Sequence, residues 1–226
     1  MADTIAAIAT GAQVAAIGII RISGPEALPI VDRLFRPASG KLMSEYEDRK
    51  LVYGRLTDLS GDLLDLCLCT VSHAPHSYTG EDTAELQCHG SPTVLRAALE
   101  ELFHAGARQA LPGEFTKRAF LNGRMELSSA EAVADIIDAE SIECAKNAAA
   151  QLSGAVAVKA DNIYSTLTDI SSHYHAVLDY PDEDIEDFRL ENYKQQLSSA
   201  ADSLRALLGS FERGKLMVSG IPAAIV

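Results

Sequence analysis

Two charged side chains stand in segments whose alternation predicts β-strands, and each has a chemical use there. Arg21 interrupts an otherwise apolar run, where a guanidinium is costly to bury unless it meets a carboxylate or an anionic ligand. Glu85 and Gln87 fall on one face of a second strand, and Leu86 falls on the other. If that first face lines a cleft, the Glu85 carboxylate can bind the N–H donors of a pterin-like ring. The alternatives are a structural acid as the partner of Arg21 and exposure to solvent for Glu85.

A third charged residue, Arg124, is placed by its turn signals rather than by a strand. Residues 112–124 predict a short helix that ends in an Asn122-Gly123 turn, so Arg124 lies on a tight loop just ahead of the next helix. A cation on such a loop can reach an anion without being buried in a core. The alternative is an ordinary surface arginine.

The cysteines and histidines do not have the spacing of a metal site. A site would have to draw on residues scattered over two strands and a loop, namely Cys67, Cys69, Cys88, His73, His76 and His89. Paired Cys-x-x-Cys knuckles, which structural zinc sites use, are missing. The pattern favours buried, reduced thiols, and we expect no metal site.

Other motifs lack the detail that their chemistry requires. Residues 179–188 hold six acids, but a calcium loop counted from Asp182 has Asp187 in place of glycine and Tyr193 in place of glutamate. An acidic loop that initiates a helix fits better. Gly220 and Pro222 follow a predicted strand as a phosphate-binding loop would, yet no Gly-Lys-Ser/Thr follows them. No Gly-x-Ser-x-Gly turn supports a hydrolase, and the catalytic residues are unknown.

The elements that must position these residues change character along the chain. Four alternating runs predict the strands of a mixed sheet, at residues 14–23, 50–56, 63–71 and 83–89. Helices are predicted from Gly24-Pro25 to about residue 35, and from Ser91-Pro92 to just before Gly106. Gly18, in the middle of the first strand, indicates that another group approaches its backbone closely.

Beyond Pro112 the apolar positions recur at three and four residues, which predicts helices. A Ser128-x-x-Glu131 capping box precedes a periodic segment at 132–152, and further helices are predicted near 160–178 and 192–211. The last residues, 215–226, have the composition of a buried strand that runs into a turn. The change of pattern near residues 112–120 marks a boundary between an α/β unit and a helical unit.

Composition excludes several classes of protein. The 226 residues are 47% hydrophobic and carry 19 basic against 32 acidic side chains, a net charge of -13. Such a chain can bury a core but does not hold nucleic acid by its own basic surface. Four cysteines without a signal-peptide pattern indicate a reducing, cytoplasmic location. The apolar stretch at 14–22 is too short for a membrane-spanning helix, so we expect no membrane association.

Several strings together resemble the MnmE (TrmE) family of tRNA-modifying GTPases over essentially the whole chain. The strings that resemble its N-terminal domain lie at 19–25 (Ile-Ile-Arg-Ile-Ser-Gly-Pro), 78–82 (Tyr-Thr-Gly-Glu-Asp), 85–90 (Glu-Leu-Gln-Cys-His-Gly) and 112–123 (Pro-Gly-Glu-Phe-Thr-Lys-Arg-Ala-Phe-Leu-Asn-Gly). Those that resemble its helical domain lie at 130–138 (Ala-Glu-Ala-Val-Ala-Asp-Ile-Ile-Asp) and 179–185 (Asp-Tyr-Pro-Asp-Glu-Asp-Ile). Their order and spacing make the match specific.

The resemblance implies an α+β fold class. It implies a mixed-sheet domain like the tetrahydrofolate-binding domains at residues 1–117, which also dimerises, and the first part of a helical domain at 118–213. Residues 214–226 would be the first strand and a remnant of a Ras-like α/β GTPase domain that is largely missing from the chain. No nucleotide-binding residue is expected in this chain, because the GTPase site belongs to that domain.

The resemblance also implies ligands and partners. Family folate contacts fall on Arg21, Glu85 and Arg124, although a lysine is expected where this sequence has Arg124. The cofactor would be 5,10-methylene- or 5-formyl-tetrahydrofolate, with GTP, Mg²⁺ and K⁺ in the missing domain. The partners would be a second copy in a homodimer, the flavoprotein MnmG, and tRNA, in which a carbon substituent such as a carboxymethylaminomethyl group is added at C5 of the wobble uridine (position 34).

Where the family continues from Gly-x-Pro into Asn-x-Gly-Lys-Ser, this chain reads Ala-Ala-Ile-Val. We therefore hypothesise that a segment is missing between Pro222 and Ala223.

Two other functions stay open. One is a folate-dependent one-carbon transferase without GTPase activity. The other is a non-catalytic dimerisation module in which Arg21 and Glu85 pair with each other.

Overall fold

The computed structural model describes residues 3–180 and 190–219, which form two units. One unit ends at Met125 and the other begins at Glu126, whereas the sequence predicts a boundary after Lys117. The first unit holds seven strands: β1 (Ile5–Ile8), β2 (Ile17–Ser23), β3 (Phe35–Pro37), β4 (Val52–Thr57), β5 (Leu63–Ser72), β6 (Thr83–His89) and β7 (Arg108–Gln109). Its helices are α1 (Ala27–Leu34), α2 (Pro92–His104) and α3 (Glu114–Leu121).

The strands form one mixed sheet in the order β3-β4-β5-β6-β2-β1-β7. All neighbouring pairs are antiparallel except β1 and β7, which are parallel. The predicted α+β class, with a mixed sheet ahead of a helical unit, is confirmed. The four predicted strands are β4, β5, β6 and β2, which lie side by side in the middle of the sheet. The strands β1, β3 and β7 are too short, at two to four residues, to show an alternating pattern.

Helices α1 and α2 cover one face of the sheet and leave the other face open. Their apolar sides bury Ile30 and Leu34 from α1 and Leu95 and Leu102 from α2 in a single core. Alternate residues of the central strands join this core, while their neighbours point to the open face. The open face is therefore where the polar residues of the central strands lie.

The close approach predicted at Gly18 is made by a helix side chain. A Cβ atom added to Gly18 would lie 2.3 Å from Cδ1 of Leu95, which is itself buried. The absence of a side chain at residue 18 thus allows α2 to sit directly on β2. The group that approaches belongs to the core and not to a ligand.

The second unit is helical throughout the residues that the structure describes. It contains α4 (Leu127–Ile137), α5 (Ile142–Leu152), α6 (Ala155–Asp179) and α7 (Leu190–Ser219). Helices α6 and α7 are joined by a hydrogen bond between the Tyr193 hydroxyl and the His173 ring. No helix in residues 3–180 or 190–219 is long and apolar enough to cross a bilayer.

Two predictions about helix boundaries in this unit are wrong. The Ser128-x-x-Glu131 capping box does not start a helix, because α4 begins at Leu127 and its N-cap residue is Glu126. The periodic segment at 132–152 is two helices, and the second is capped by Ser141, whose side chain accepts a hydrogen bond from the Cys144 backbone N–H at 3.1 Å. A serine breaks the apolar period at that point, and the capping interaction stabilises the new helix start.

The strand predicted from residue 215 is also wrong over its described part, because α7 continues to Ser219. A strand must pair its backbone groups with a neighbouring strand, and the described part of this unit contains none. A helix satisfies the same groups within its own segment. The proposed gap between Pro222 and Ala223 and the Gly220 turn lie outside the described residues, as does most of the acidic run, at 181–189.

Candidate functional site

Arg21, Glu85 and Thr70 form a row across three strands on the open face of the sheet. Arg21 in β2 is registered with Glu85 in β6, and Glu85 is registered with Thr70 in β5. Residues directly opposite each other in antiparallel strands have Cβ atoms about 5 Å apart, so their side chains interact. The row is the polar centre of this face.

Arg21 and Glu85 make the closest contact in the row. Arg21 Nε donates to Glu85 Oε1 at 2.8 Å, and Nη2 lies 2.7 Å from the same oxygen. About 30% of each side chain is exposed. No other hydrogen bond reaches Arg21 Nη1 or Glu85 Oε2 within the described part of the chain. One donor edge and one acceptor oxygen therefore remain available for a ligand.

The row opens into a cleft of about 380 Å³. Its lining combines the row with an apolar wall and further polar groups, contributed by Arg21, Arg49, Leu51, Thr70, Val71, Ser72, Tyr78, Thr83, Ala84, Glu85 and Gln87. The prediction that Glu85 and Gln87 share a face is confirmed, because both line this cleft. Polar groups that converge in a concave site fix the orientation of a small-molecule ligand.

Two aromatic rings hold the guanidinium of Arg21 in place. Its Cζ lies 5.2 Å from the ring centroid of Tyr78 and 5.6 Å from that of Phe115. Each contact is within the range of a cation–π interaction. The Tyr78 hydroxyl in turn hydrogen bonds to Thr116 Oγ1 at 3.0 Å, which ties the ring to α3. The rings restrict Arg21 to the geometry in which it meets Glu85.

The loop that carries Tyr78 is fixed by a buried polar network beneath it. Ser23 Oγ lies 2.7 Å from both Thr79 Oγ1 and Glu81 Oε2. Arg118 in α3 adds a hydrogen bond to the same Glu81 oxygen at 3.0 Å, and Asn122 Nδ2 donates to the Thr79 carbonyl at 2.7 Å. Strand β2 and helix α3 therefore hold the loop jointly.

The structure places Arg124 beside this loop and not in the cleft. Arg124 lies between α3 and α4, as predicted, and its Nε donates to the Ser77 carbonyl at 3.1 Å. The stem of Arg124 packs against Gly80, where an added Cβ would lie 3.1 Å from Cγ of Arg124. Gly80 also has a positive φ of 78°. Arg21 and Glu85 are thus brought together, and Arg124 meets them only through the Tyr78 loop.

Several residues of the site were not predicted, among them Tyr78, Phe115, Arg49 and Thr70. Tyr78 and Phe115 stand in loop and helix segments with no periodic signal for an inward-facing ring. Arg49 has a positive φ of 63° and donates its Nη2 to the His76 carbonyl at 2.9 Å. Thr70 gave a usable signal, since it is a polar residue that alternates with the buried Cys69 and Val71. The alternation places Thr70 on the same face of the sheet as Glu85.

The cysteines of β5 and β6 are buried thiols, as the sequence predicts. Cys67, Cys69 and Cys88 are buried and free of disulfides. Burial raises the pKa of the Cys69 thiol, so the thiol stays protonated at neutral pH. The Sγ atoms of Cys67 and Cys88 and a carboxylate oxygen of Asp65 lie within 4.8 Å of one another, which is close enough for the three to bind one metal ion. Asp65 already accepts hydrogen bonds from the backbone N–H and the ring of His89.

Comparison with known proteins identifies relatives of both units. Residues 4–124 match the family model described as the GTP-binding protein TrmE N-terminus, and residues 127–222 match the MnmE helical domain. The chain is 41% identical over 223 residues to the tRNA modification GTPase MnmE of Symbiobacterium thermophilum, covering 99% of this chain and 49% of the relative. The same protein of Clostridioides difficile is 40% identical over 224 residues, covering 99% and 49%, respectively. The chain spans about half the length of the curated relatives it matches.

Proposed function

Because the chain belongs to the MnmE (TrmE) family of tRNA modification GTPases, we propose that its first unit binds a tetrahydrofolate derivative in the cleft between Arg21, Glu85 and Tyr78. The observation that carries the proposal is the unsatisfied edge of the Arg21–Glu85 pair. Glu85 Oε2 can accept N–H donors from a pterin ring, while the rings beside Arg21 offer flat surfaces to an aromatic ligand.

The charges around the cleft suit a ligand with an anionic tail. Arg49 lies on the lining of the same cleft as Arg21, and it is largely exposed. The benzoylglutamate portion of a folate carries carboxylates, which pair best with a guanidinium. The ligand would be 5,10-methylene- or 5-formyl-tetrahydrofolate, and Arg124 would contribute by holding the loop that carries Tyr78.

The wider role follows from the family. We infer that the whole protein hydrolyses GTP and works with the flavoprotein MnmG to modify C5 of the wobble uridine in certain tRNAs. The folate bound in the first unit would supply the carbon atom. The net charge of -13 supports a division of labour in which the partner provides the tRNA-binding surface. A homodimer formed through the first unit, in the cytoplasm, completes the proposal.

Binding of the folate is tested by calorimetric titration with 5-formyl-tetrahydrofolate. Wild type should bind, and Arg21→Ala should lose about 10- to 100-fold in affinity, since a hydrogen bond to a charged group contributes about 1.5–3 kcal/mol. Arg55→Ala is the matched control, because Arg55 is an exposed arginine of β4 that does not line the cleft. Undiminished binding by Arg21→Ala would remove Arg21 from the site.

The role in tRNA is tested in cells that produce the Arg21→Ala protein in place of wild type. We expect their tRNA to lack the carbon substituent on the wobble uridine, measured by mass spectrometry of nucleosides, and cells with Arg55→Ala to retain it. A normal nucleoside profile in a variant that binds no folate would show that the cleft does not supply the carbon.

One rival function has an observation in its favour. A dimerisation module without a ligand predicts that Arg21 and Glu85 pair with each other, and they do. A folate site is compatible with the same pair, because the pair uses Glu85 Oε1 and leaves Oε2 for a ligand. The titration separates the two, because the rival predicts no heat with wild type.

A further inference from the structure

Thr70 carries a buried hydroxyl group for which the described fold provides no partner. Among the side chains that the structure describes, its Oγ1 is the one buried nitrogen or oxygen that lacks a hydrogen-bond partner. A buried polar group without a partner is unfavourable, because it has lost its hydrogen bonds to water, and in native proteins such groups are few. The position therefore needs an explanation beyond the packing of the sheet.

The position of Thr70 supplies that explanation. It is registered with Glu85 across the β5–β6 pair, and both residues line the cleft. On the other side of Glu85 stands Arg21, which uses Glu85 Oε1 and leaves Oε2 without a partner in the described chain. Thr70 and Glu85 are thus neighbours in the lining of the cleft, and each has a side-chain oxygen without a partner in the described chain.

We propose that Thr70 is a specificity-determining residue of the cleft, whose hydroxyl donates a hydrogen bond to the ring edge of the bound ligand beside Glu85. The inference rests on the proposed folate site and extends it to a residue outside the Arg21, Glu85 and Arg124 set. A rotation of about 120° around the Cα–Cβ bond moves a threonine hydroxyl from one staggered position to the next, and ligand binding would favour the rotamer in which Oγ1 faces the cleft.

The two neighbouring groups define the chemistry of the ligand. Glu85 Oε2 only accepts hydrogen bonds when ionised, so it takes an N–H of the ligand. The Thr70 hydroxyl can donate, so it takes a carbonyl oxygen or a ring nitrogen on the same edge. The ligand that satisfies both is a planar nitrogen heterocycle with a donor next to an acceptor, which is what the pterin ring presents. A ring without the acceptor would leave the hydroxyl buried and unpaired, and would bind less tightly.

The experiment compares Thr70→Val with Thr70→Ser. Valine matches the shape of threonine and removes the hydroxyl, whereas serine keeps the hydroxyl and removes the methyl group. Calorimetric titration with 5-formyl-tetrahydrofolate should show about a fivefold loss of affinity for Thr70→Val, which corresponds to one hydrogen bond, and less than a twofold loss for Thr70→Ser. Arg55→Ala again serves as the control for an unrelated surface change.

Thermal unfolding without ligand gives a readout that a structural role would not produce. Because the hydroxyl lacks a partner in the free protein, Thr70→Val should melt at the same temperature as wild type or about 2 °C higher. A variant that gains stability and loses affinity identifies a group retained for binding.

Three results would overturn the inference. If Thr70→Val binds like wild type while Arg21→Ala does not bind, Thr70 makes no contact with the ligand although the site is correct. If Thr70→Val melts several degrees lower without ligand, its hydroxyl has a structural partner. If wild type itself takes up no folate, the proposed function fails and this inference fails with it.

Discussion

Arg118 Nη1 donates hydrogen bonds to both carboxylate oxygens of Glu81, at 3.2 and 3.0 Å. Glu81 belongs to the same loop as Tyr78, between β5 and β6. The same guanidinium reaches Asp3 at 2.7 Å and Glu114 at 3.1 Å, so three acids from distant parts of the chain converge on one cation. Arg118 is 9% exposed, which makes it a buried charge whose partners are all provided by the fold.

We expect Arg118→Ala to destabilise the first unit by about 3 kcal/mol, because the Glu81 carboxylate, of which only 16% is exposed, loses the cation that pairs with it. Chemical denaturation followed by circular dichroism measures the loss. Lys117→Ala is the control, since Lys117 is the neighbouring cation on α3 and has no ion pair among the described residues. Equal stability of the two variants would contradict the assignment of Arg118 as the centre of the network.

Stability should fall in acid through Glu114. The hydrogen bond from Arg108 lowers the pKa of Glu114 from 4.5 to about 2, despite the opposing effect of burial. A carboxyl group whose pKa is lower in the folded state stabilises the fold above its unfolded pKa. That contribution is lost as the pH falls from about 4.5 to about 2. Asp3, with its pKa also lowered to about 2, acts in the same direction.

The measurement is the free energy of unfolding of wild type and Glu114→Gln between pH 6 and pH 2. Wild type should lose stability steeply below pH 4.5, and the variant should start less stable and show a shallower slope. Parallel curves would mean that Glu114 is not protonated in that window.

Gly18 and Leu95 should behave as a coupled pair. Gly18→Ala places a methyl group against Leu95, and overpacking of this kind costs about 1–3 kcal/mol. In Leu95→Ala the space above residue 18 is vacated, so Gly18→Ala should cost less in that background. A double-mutant cycle of unfolding free energies gives the coupling, and strict additivity would mean that Leu95 is not what limits residue 18.

The cap of α5 gives a test within the helical unit. Ser141→Ala should cost about 1 kcal/mol, because it removes the acceptor for the Cys144 N–H. Ser128→Ala is the matched control, since the Ser128 side chain caps no helix in this structure. Hydrogen exchange of the first turn of α5 reports the effect locally. If Ser128→Ala were instead more destabilising than Ser141→Ala, the result would support the helix start that the sequence predicts.

The sequence predicts those features that arise from alternation within a strand. Arg21 and Glu85 could be placed on strands, and the face of Glu85 could be chosen, because a strand repeats every two residues. That Arg21 meets Glu85 depends on the register of β2 with β6, which pairs residues 64 apart in the chain. No local pattern encodes that register. The sequence also cannot show that the Thr70 hydroxyl lacks a hydrogen-bond partner, because its neighbours in the fold come from distant parts of the chain.

Loops and short elements account for the rest of what the sequence did not predict. Tyr78 lies in a loop positioned by Ser23 and Arg118, which are 55 and 40 residues away in sequence. The break between α4 and α5 depends on a single cap at Ser141 within a segment that remains apolar at helical spacing. In each case a specific hydrogen bond decides the local structure, and residue periodicity does not detect it.

The row of Arg21, Glu85 and Thr70 also has a consequence for how the protein folds. Its members come from β2, β6 and β5, so the cleft does not exist until strands distant in sequence have paired. A slip of one residue in either pairing would turn part of the row into the core face. Contacts between distant segments form slowly, because the loop between them must close first. Only molecules whose central strands are correctly paired can therefore bind the ligand. The fraction of protein that binds ligand measures the fraction that has completed folding.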